Sequence, residues 1–479
     1  MNYKVILHTL GWVLNIEAFA MVLPLICSLC YSEWDMAKIF LLSIAICLVI
    51  GILLTRKPLE KKTMYAKEGF ICVGLSWIIL SIFGSLPFIF SGTTSIVDAL
   101  FETASGFTTT GASILSDVEI LPKGLLFWRS FTHWLGGMGV LVFLVALLPL
   151  AGGNNLHLLK AESPGPSVSK LVPKVRSTAK ILYFMYIGLT AIMLVFMLAG
   201  GMNLFDSLTL TFGTAGTGGF GILNSGCADY SPYIQWVITI FMMLFGVNFT
   251  LYYLLLLGKI KDVIKSEELR AYIGIILFAI IVILLNCKDM YQNIGDAIRH
   301  TAFQVGAVIT TTGYSTVDFD AWPTFSRTVM VLLMFFGAMA GSTGGGIKVS
   351  RIMILFKSVK KEIFSSIHPN STKKITMDGR PVEHQVVRGV NNYMAAYAII
   401  FAISVLLISL DNYSPATNFT AVLSAINNIG PGLEAVGPTQ NFSIFSDFST
   451  LVLTADMLIG RLEIFPFLVL LSPRVWKNK

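Results

Sequence analysis

The stretch AGTGGFGI, from Ala215 to Ile222, carries glycines at the spacing of a dinucleotide-binding loop, Gly216-x-Gly218-x-x-Gly221. Such a loop follows a β-strand and opens a helix within a soluble βαβ unit, and an acidic residue comes about 20 positions later. Here a short apolar run precedes the glycines and a long apolar segment follows them, while Asp229 comes too early. We therefore expect no nucleotide on this stretch, and its glycines need another explanation.

The same kind of segment occurs four times in the chain, at intervals of about 100 residues. The four copies are FTTTGAS (Phe107–Ser113), AGTGGF (Ala215–Phe220), ITTTGYS (Ile309–Ser315) and INNIGPG (Ile426–Gly432). The glycines that they share in this alignment are Gly111, Gly218, Gly313 and Gly430. Each copy follows a run that is long enough for a short helix and too short to cross a membrane. Residues that could cap these short helices stand near their starts: Asp98, Asp206, Asp296 and Asn418.

The composition places the chain in a membrane. Of its 479 residues, 55% are hydrophobic and 13% are charged, which leaves too few polar residues to cover a soluble globule. A helix needs about 20 apolar residues to cross the hydrocarbon core of a bilayer. The predicted spans are Ile6–Leu29, Ile39–Leu54, Phe70–Phe90, Leu125–Leu150, Ile181–Leu198, Ile234–Leu257, Tyr272–Leu285, Val329–Phe356, Ala395–Leu410 and Leu451–Leu471. The first is expected to be a retained helix, because it is too long for a secretion signal.

Lysine and arginine predict which connections face the cytoplasm. They cluster at residues 56–67, 160–176, 259–270 and 348–388 and in the C-terminal tail. The intervening connections carry aspartate and glutamate instead, and these would attract cations to the outer face. The net charge of +7 therefore does not imply a nucleic-acid partner.

The four repeated segments favour a pore. Non-helical backbone at membrane depth is tolerated only where protein buries it or water reaches it, so four such loops are expected to converge on one aqueous axis. A short helix that enters from the outside would end near the midplane, where its dipole places partial negative charge. Glycine allows the backbone conformation that turns carbonyl oxygens toward an axis, and the neighbouring threonines could add hydroxyl oxygens. The loops contain no acid or base, which favours a monovalent cation.

A second glycine cluster, GSTGGG at Gly341–Gly346, interrupts the apolar segment Val329–Phe356. It does not fit a phosphate-binding loop, because Ile347 stands where that loop requires lysine and Lys348 comes one position late. Each glycine in a helix interior costs about 1 kcal/mol relative to alanine, so we predict a broken helix below the four loops. Close packing of helices against small residues is the alternative.

Together, the four loops, the paired spans and the segment Gly337–Lys348 (GAMAGSTGGGIK) resemble the Trk/Ktr/HKT superfamily of potassium transporters over essentially the whole chain. The two spans before the first repeat make the chain most similar to the TrkH/TrkG branch. The resemblance implies an all-α polytopic membrane protein with four M1-P-M2 pore-loop repeats around a pseudo-fourfold pore. The implied division is two extra transmembrane helices in 1–60, repeat 1 in 61–155, repeat 2 in 156–262, repeat 3 with an intramembrane gating loop in 263–385, and repeat 4 in 386–479.

The resemblance also assigns roles to residues, in a protein of the bacterial inner (cytoplasmic) membrane that takes up potassium. It implies four selectivity-filter strands: Thr109-Thr110-Gly111, Gly216-Thr217-Gly218, Thr311-Thr312-Gly313 and Asn428-Ile429-Gly430. It implies a gate made of Gly341, Ser342, Thr343, Gly344, Gly345 and Gly346, with Arg461 below the filter. In related transporters a serine in place of the first filter glycine accompanies sodium permeation, so Gly111 predicts potassium.

Arg461 lies within the last predicted span, where a charge usually faces a partner or water. A structural role, compatible with the gate role, is a buried pair with one of three acids: Asp456, Glu463 or Glu102. Lys348 is expected to be the first residue of the cytoplasmic basic loop, and a charge on the side of the gate is the alternative. Three further residues in or near spans receive no role from the sequence: Glu17, Arg129 and His133.

The resemblance further implies a homodimer and a separate TrkA-like cytosolic ring that binds nucleotides, docked on the loop from Lys348 to Arg388. The chain itself is expected to bind no nucleotide and no metal other than potassium. Two other functions stay open. A sodium-permeable or cation-coupled symporter would need a coupling site, for which Glu17, Asp456 and Glu463 are candidates. A membrane enzyme would need a catalytic set, and the six dispersed histidines and scattered cysteines predict none.

Overall fold

The computed structural model describes residues 2–56, 66–137, 139, 175–371 and 374–476. Apart from two short antiparallel strands, β1 (Thr376–Met377) and β2 (Arg380–Pro381), the regular elements of these residues are helices. Numbered in chain order, the α-helices are α1 Tyr3–Ala20, α2 Val22–Cys30, α3 Trp34–Thr55, α4 Ala66–Gly84, α5 Leu86–Phe90, α6 Ile96–Phe107, α7 Lys123–Gly137, α8 Val175–Ala199, α9 Leu204–Gly216, α10 Pro232–Phe245, α11 Phe249–Leu256, α12 Ile260–Lys265, α13 Glu267–Cys287, α14 Ile294–Ile309, α15 Thr324–Met334, α16 Val349–Ile367, α17 His384–Ile408, α18 Pro415–Asn427, α19 Asp447–Arg461, α20 Phe465–Leu471 and α21 Pro473–Trp476. Single 3₁₀ turns occupy Lys288–Met290, Phe319–Ala321, Ser409–Asp411 and Glu434–Val436.

Six helical segments of the described chain are long and apolar enough to cross a membrane: Tyr3–Cys30, Trp34–Thr55, Glu68–Phe90, Lys180–Ala199, Glu267–Met290 and His384–Asp411. Each contains or largely overlaps a predicted span. The predicted span Leu125–Leu150 is helical in α7 as far as Gly137, and nearly all of its remainder lies outside the described residues.

Three predicted spans are interrupted in the structure. The predicted break in Val329–Phe356 is confirmed, since α15 ends at Met334 and α16 begins only at Val349. The prediction that Ile234–Leu257 is one helix is wrong, because α10 and α11 meet at an angle of 91°. The prediction for Leu451–Leu471 is also wrong, because α19 and α20 are separate helices.

Local chemistry accounts for the two breaks that the hydropathy pattern does not reveal. Gly246 follows the last residue of α10, and Asn248 starts α11 by accepting the N–H of Thr250 on its side chain at 2.8 Å. At the other break, Glu463 and Ile464 have φ of 55° and 70°, which ends α19 in a left-handed turn. Pro466 then stands in the first turn of α20, where its missing N–H costs nothing.

A short helix precedes each glycine loop: α6, α9, α14 and α18. They contain 12, 13, 16 and 13 residues, so each is about 18 to 24 Å long and cannot cross a hydrocarbon core of about 30 Å. The four predicted caps are wrong, because Asp98, Asp206, Asp296 and Asn418 lie inside the helices. Side-chain caps come three or four residues earlier, from Ser95, Asn203 and Ser414. The three aspartates instead place negative charge in the first turn, where the helix dipole favours it.

The short helices pack in one repeating pattern. Each short helix contacts the long helix before it and the helix after it. It also contacts the helix that comes directly after the previous short helix, and in this way the first short helix contacts the helix after the fourth. Thus α6 contacts α4, α7 and α19; α9 contacts α8, α10 and α7; α14 contacts α13, α15 and α10; and α18 contacts α17, α19 and α15. The ends of the four short helices are thereby brought to the centre of the molecule.

Polarity is arranged as in a membrane protein. Large apolar side chains such as Leu41, Phe184 and Leu406 are exposed on the outward faces of the long helices. The buried hydroxyls of Ser76 and Thr103 donate to the carbonyl four residues earlier in their own helix, which satisfies them without a distant partner. Apolar side chains thus face outward on the long helices, and these buried hydroxyls are satisfied within their own helices.

Candidate functional site

All four short helices end in the same left-handed turn. One or two residues after each helix, a residue has positive φ: 56° at Thr109, 54° at Thr217, 57° at Thr311 and 55° at Asn428. In the first copy, the N–H of Thr109 donates to Gly106 O at 3.1 Å and that of Thr110 donates to Ser105 O at 2.9 Å. The same pair of bonds recurs at Thr217 and Gly218, at Thr311 and Thr312, and at Asn428 and Ile429. This is the Schellman arrangement, which satisfies the last carbonyls of a helix.

Threonine is an unusual residue for that turn. A β-branched side chain at positive φ is a genuine outlier, and such backbone strain costs of the order of 1–3 kcal/mol per residue. The chain nevertheless has threonine there in three copies, at Thr109, Thr217 and Thr311, and asparagine in the fourth. The surrounding protein therefore imposes the turn, and the turn fixes the direction of the carbonyls that follow it.

The loops touch one another in a closed ring through a second positive-φ position. A Cβ atom built on Gly111 would lie 1.9 Å from the carbonyl oxygen of Gly218, and one on Gly219 would lie 1.8 Å from that of Thr312. To complete the ring, a Cβ atom built on Gly313 would lie 1.9 Å from Ile429 O, and one on Gly430 would lie 3.0 Å from Thr110 O. Glycine is therefore required at these positions both by backbone conformation and by the approach of the next loop.

This ring corrects the predicted alignment of the second loop by one residue. Gly219, with φ of 80°, is the equivalent of Gly111, Gly313 and Gly430, while Gly216 is the last residue of α9. The predicted strand Gly216-Thr217-Gly218 is replaced by Thr217-Gly218-Gly219. Three glycines stand close together in that loop, so counting glycines alone could not identify the register.

One cavity of 220 Å³ opens at the ring and touches all four loops. Its lining includes the four ring glycines: Gly111, Gly219, Gly313 and Gly430. Polar groups from the connections that follow the loops line it as well, among them the side chains of Asn224, Gln440 and Asn441. The four loops thus share one polar space.

Hydroxyl and amide groups form hydrogen bonds that stabilise the four glycine loops. Thr108 and Thr110 share a hydrogen bond of 2.8 Å between their hydroxyls, and Thr310 and Thr312 form the same bond in the third copy. In the fourth copy, the Asn428 amide donates to Thr110 Oγ1 at 3.0 Å and to Met457 O at 2.9 Å. Several of the hydroxyls that could have served as ion ligands are therefore already engaged within the protein.

Arg129 and Glu102 form a buried ion pair at 2.5 Å. The sequence assigns no role to Arg129 and offers Glu102 only as a partner of Arg461. Arg129 also donates to Gly221 O at 2.8 Å, and its guanidinium carbon lies 3.6 Å from the ring centroid of Phe220. The Glu102 carboxylate accepts the N–H of Ile114 at 3.0 Å. The pair therefore joins the first short helix to the connections that follow the first and second loops.

His133 joins the same two copies. Its Nδ1 lies 2.8 Å from Gly106 O, and the N–H of Phe220 donates to its Nε2 at 3.1 Å. A carbonyl partner requires a proton on Nδ1 and an N–H partner requires a free Nε2, so these contacts fit only the neutral imidazole. A Cβ on Gly218 would lie 2.2 Å from the His133 ring, which places the ring directly behind the second strand. Its position within an apolar segment was the only sequence signal for this role.

Two acids hold together the connections that follow the first and second loops. The side chain of Asn224 donates to Asp117 at 2.8 Å, and the N–H of Asn224 donates to Glu119 at 2.8 Å. The hydrogen bond from Asn224 lowers the pKa of the Asp117 carboxyl, which favours its ionised form. Negative charge is thus placed at these two connections.

The second glycine cluster lies directly beside the third and fourth loops. The N–H of Gly345 donates to Thr311 Oγ1 at 2.7 Å, so the cluster binds a residue of the third left-handed turn. A Cβ on Gly344 would lie 3.0 Å from Thr310 O, and one on Gly345 would lie 2.6 Å from Asn427 O. The cluster therefore covers the ends of α14 and α18, as the predicted position below the loops requires.

Arg461 lies against this cluster. Its guanidinium donates to Thr343 O at 3.0 Å and also to Gly136 O, which connects the cluster to the end of α7. The three acids considered as its partners have other contacts: Glu102 with Arg129, Asp456 with Ser404, and Glu463 with Arg351. Arg461 is therefore positioned by backbone carbonyls on two sides.

The expectation that Lys348 is the first residue of the basic loop is wrong, because its side chain lies against the glycine cluster, where the alternative prediction places it. Its side chain is 3% exposed and donates to Gly344 O and, at 3.0 Å, to Gly345 O. Together with Arg461, it supplies donors to three consecutive carbonyls of the cluster. The break in the helix leaves these carbonyls without regular helical partners. The Lys348 ammonium satisfies two of them, which stabilises its buried position.

The bend between α10 and α11 also binds the cluster. The N–H of Phe249, the first residue of α11, donates to Gly341 O at 3.0 Å. In return, Gly246 O accepts the N–H of Met339 at 3.1 Å, and Phe245 O accepts the Thr343 hydroxyl at 3.2 Å. The bend and the glycine cluster thus supply hydrogen-bond partners for each other's free backbone groups.

Comparisons with known proteins agree on one family. The profile of the TrkH family, described as cation transport protein, matches residues 36–478. The Trk system potassium uptake protein TrkH of Escherichia coli K12 is 35% identical over 488 aligned residues that cover 100% of both chains. The Trk system potassium uptake protein TrkG of the same strain is 33% identical over 485 residues, covering 100% of this chain and 99% of the relative. The crystal structure of the potassium transporter TrkH from Vibrio parahaemolyticus gives a TM-score of 0.90 at 31% identity, with 100% of both chains covered.

Alanine at Gly219 should disrupt the ring, whereas alanine at Gly221 should be tolerated. The added Cβ would lie 1.8 Å from Thr312 O at position 219 but 3.4 Å from its nearest neighbour, Leu223 O, at position 221. We expect Gly219→Ala to abolish ion uptake by cells that depend on this protein and Gly221→Ala to preserve it. Equal activity of the two variants would contradict the corrected register.

Arg129→Gln should destabilise the protein strongly, because it leaves the buried Glu102 carboxylate without its ionic partner. Breaking such a pair costs about 3–5 kcal/mol. We expect a lower midpoint of thermal unfolding of the purified protein in detergent, followed by tryptophan fluorescence. Adding Glu102→Gln should recover more than half of the loss, and a single variant as stable as the wild type would refute the structural role of the pair.

Proposed function

Because the chain belongs to the TrkH family of cation transport proteins, we propose that it takes up potassium across the bacterial inner membrane through a filter formed by its four repeated loops. The resemblance predicted from the loops and from Gly337–Lys348 is confirmed by the comparisons, which place the chain among transport proteins and not enzymes. The chain is a multi-pass membrane protein with several spanning helices.

We propose that the chain consists of four M1-P-M2 units around a pseudo-fourfold axis, with α6, α9, α14 and α18 as the pore helices. The proposed division is 61–155, 156–262, 263–385 and 386–479, after two extra helices in 1–60. The cyclic packing of the short helices supports this arrangement, because each one contacts its own flanking helices and one helix of the preceding unit. Four separate hairpins would not close the cycle.

The ring of close approaches between the four loops is the observation that carries the proposal. The proposed filter strands are Thr109-Thr110-Gly111, Thr217-Gly218-Gly219, Thr311-Thr312-Gly313 and Asn428-Ile429-Gly430. Gly111, Gly219 and Gly313 leave no room for a side chain beside the carbonyl of the next loop, and a Cβ on Gly430 would make a tight contact of 3.0 Å. Four backbones held this closely around one polar cavity are suited to surround a single dehydrated ion.

The electrostatics of the site favour a monovalent cation. No strand contains a charged residue, and the C-terminal ends of four short helices direct partial negative charge toward the loops. Thr109 Oγ1 is buried and has no hydrogen-bond partner among the described residues, so it is available as a further oxygen ligand. Carbonyl and hydroxyl oxygens without a fixed carboxylate can replace the hydration of potassium and still release it.

We propose that the glycine cluster, Gly341–Gly346, together with Arg461, closes the pathway on the cytoplasmic side of the filter. The hydrogen bond from Gly345 to Thr311 supports this position. The Arg461 guanidinium contacts Thr343 O, so its charge lies at the cluster, where it would oppose the approach of a cation. Movement of the cluster away from Thr311 would open the pathway.

The family resemblance implies a regulatory partner and a dimer. We propose a TrkA-like cytosolic ring that binds nucleotides, docked on the segment between Lys348 and Arg388, and a homodimer of the membrane subunit. The exposed side chains of Lys360, Lys361 and Arg388 offer a basic surface on that segment. The membrane chain itself is proposed to bind no nucleotide.

A second candidate, a sodium-permeable or cation-coupled symporter of the same fold, is favoured by two buried carboxyls. Glu17 is 1% exposed, and neither of its carboxyl oxygens has a hydrogen-bond partner among the described residues. Asp456 is also 1% exposed and uses one oxygen to accept the Ser404 hydroxyl at 2.7 Å. Isolated carboxyls in an apolar core are candidates for proton binding.

Uptake into proteoliposomes at clamped voltage tests the function. Potassium and rubidium should enter much faster than sodium and lithium, and Gly111→Ser should lower the potassium preference about tenfold, or ~1.4 kcal/mol. The serine Cβ would press on Gly218 O at 1.9 Å and displace a filter carbonyl.

The control for that experiment is Gly92→Ser, since Gly92 has a similar φ of 70° but no neighbouring atom within 4 Å of its Cβ position. Equal sodium and potassium flux through the wild type would move the protein to the second candidate. Unchanged selectivity of Gly111→Ser would argue against the proposed filter.

Arg461→Ala should raise ion leak in the absence of any cytosolic partner. The substitution removes the charge at the cluster and its hydrogen bond to Thr343 O. Rubidium efflux from proteoliposomes measures the leak, with Arg327→Ala as the control, because Arg327 pairs with Asp320 away from the cluster. Efflux equal to the wild type would reduce Arg461 to a structural role.

A further inference from the structure

Glu268 binds both ends of the glycine cluster with a single oxygen. It lies in the first turn of α13 and is 8% exposed. Its Oε1 accepts the N–H of Ala340 at 2.8 Å and the N–H of Ser350 at 3.1 Å. Ala340 directly precedes Gly341, and Ser350 stands just beyond Lys348. The carboxylate therefore brings together two points of the chain that flank the whole cluster.

The contact with Ser350 replaces a cap that α16 lacks. The residue before α16 is Lys348, whose side chain makes no capping hydrogen bond and turns instead to the cluster. The free N–H groups of a first turn are usually satisfied by a local side-chain oxygen. Here Glu268 supplies that oxygen from another helix, and its negative charge is favoured beside the N-terminus of α16.

The contact with Ala340 belongs to the other side of the break. The N–H of Ala340 has left the regular pattern of α15 and would be unsatisfied at membrane depth without an acceptor. Hydrogen bonds to an ionised carboxylate are roughly twice as strong as neutral ones. Both anchors of the cluster thus depend on one charged group, whereas the cluster between them is held by donors from Lys348 and Arg461.

We propose that Glu268 is the positioning residue of the gate, which holds the cluster closed by fixing both of its ends. This inference rests on the proposed gating function of Gly341–Gly346. The segment between the two anchors is the part that moves, and α16 keeps its position only while Ser350 stays bound. Loss of either bond weakens the hold on the cluster and favours its movement away from Thr311, so the charge of Glu268 affects how often the pathway opens.

The neighbouring residue provides a matched control. Glu267 is also a glutamate in the first turn of α13, but it pairs with Lys357 and accepts the N–H of Asp378 at 2.9 Å. It has no hydrogen bond to the cluster or its two anchors among the contacts of the described residues. A general effect of removing negative charge at this end of α13 would therefore appear in both variants.

The experiment measures rubidium efflux from proteoliposomes that contain the full-length chain without a cytosolic partner. Glu268→Ala should raise the efflux about tenfold, because two charge-assisted hydrogen bonds that favour the closed cluster are lost. Glu268→Gln, which keeps an acceptor oxygen without the charge, should raise it about threefold. Glu267→Gln should leave it unchanged, and the preference for potassium over sodium should be preserved in all three because the filter is untouched.

Arg461→Ala, measured in parallel, separates failure of this inference from failure of the gate. Wild-type efflux in both Glu268 variants together with raised efflux in Arg461→Ala would overturn the role of Glu268 and leave the gate intact. Wild-type efflux in all of them would overturn both. If Glu268→Ala does not fold, Glu268→Gln decides, since it preserves the size of the side chain.

Discussion

Backbone N–H and C=O groups at membrane depth must find partners within the protein, and the centre of this molecule is organised by that constraint. Each short helix ends in a turn that returns its N–H groups to the last carbonyls. The bend between α10 and α11 and the cluster Gly341–Gly346 satisfy each other in the same way. A helix can therefore be broken at the centre only where another break, a charged side chain or water meets it.

Buried charge follows the same logic. Lys348 and Arg461 are attached mainly to backbone carbonyls in their described contacts, and Glu268 is attached to backbone N–H groups. A charged group can satisfy more than one backbone dipole, which offsets part of the cost of leaving water. The Arg129–Glu102 pair differs, because the two charges neutralise each other and use their remaining capacity on adjacent loops. The positive charges of Lys348 and Arg461 thus lie beside the glycine cluster.

The sequence was sufficient for the class of protein, the family and three of the four loop registers, because threonine and glycine stand at fixed spacing there. It failed at the second loop, where Gly216, Gly218 and Gly219 compete for the same position and only the contact with Thr312 decides. It predicted the break at Gly341–Gly346 from glycine content. It could not predict the break at Glu463, because a left-handed turn at glutamate and isoleucine has no compositional signature. The contacts of Lys348 and Glu268 could not be predicted, because their partners are backbone atoms, which no pattern of side chains reveals.

Asn428 occupies the place that threonine holds in the other three turns, and its amide reaches both Thr110 and Met457. A threonine hydroxyl is too short for this double contact and has only one hydrogen to donate. In a ring assembled from four identical subunits, replacing threonine by asparagine at this turn would occur in all four copies, and the amide would have to fit between every pair of neighbouring loops. A single chain can make the replacement in one copy alone. It can place this hydrogen bond between one pair of loops and leave the other three contacts of the ring unchanged, so each contact of the ring can be adjusted separately.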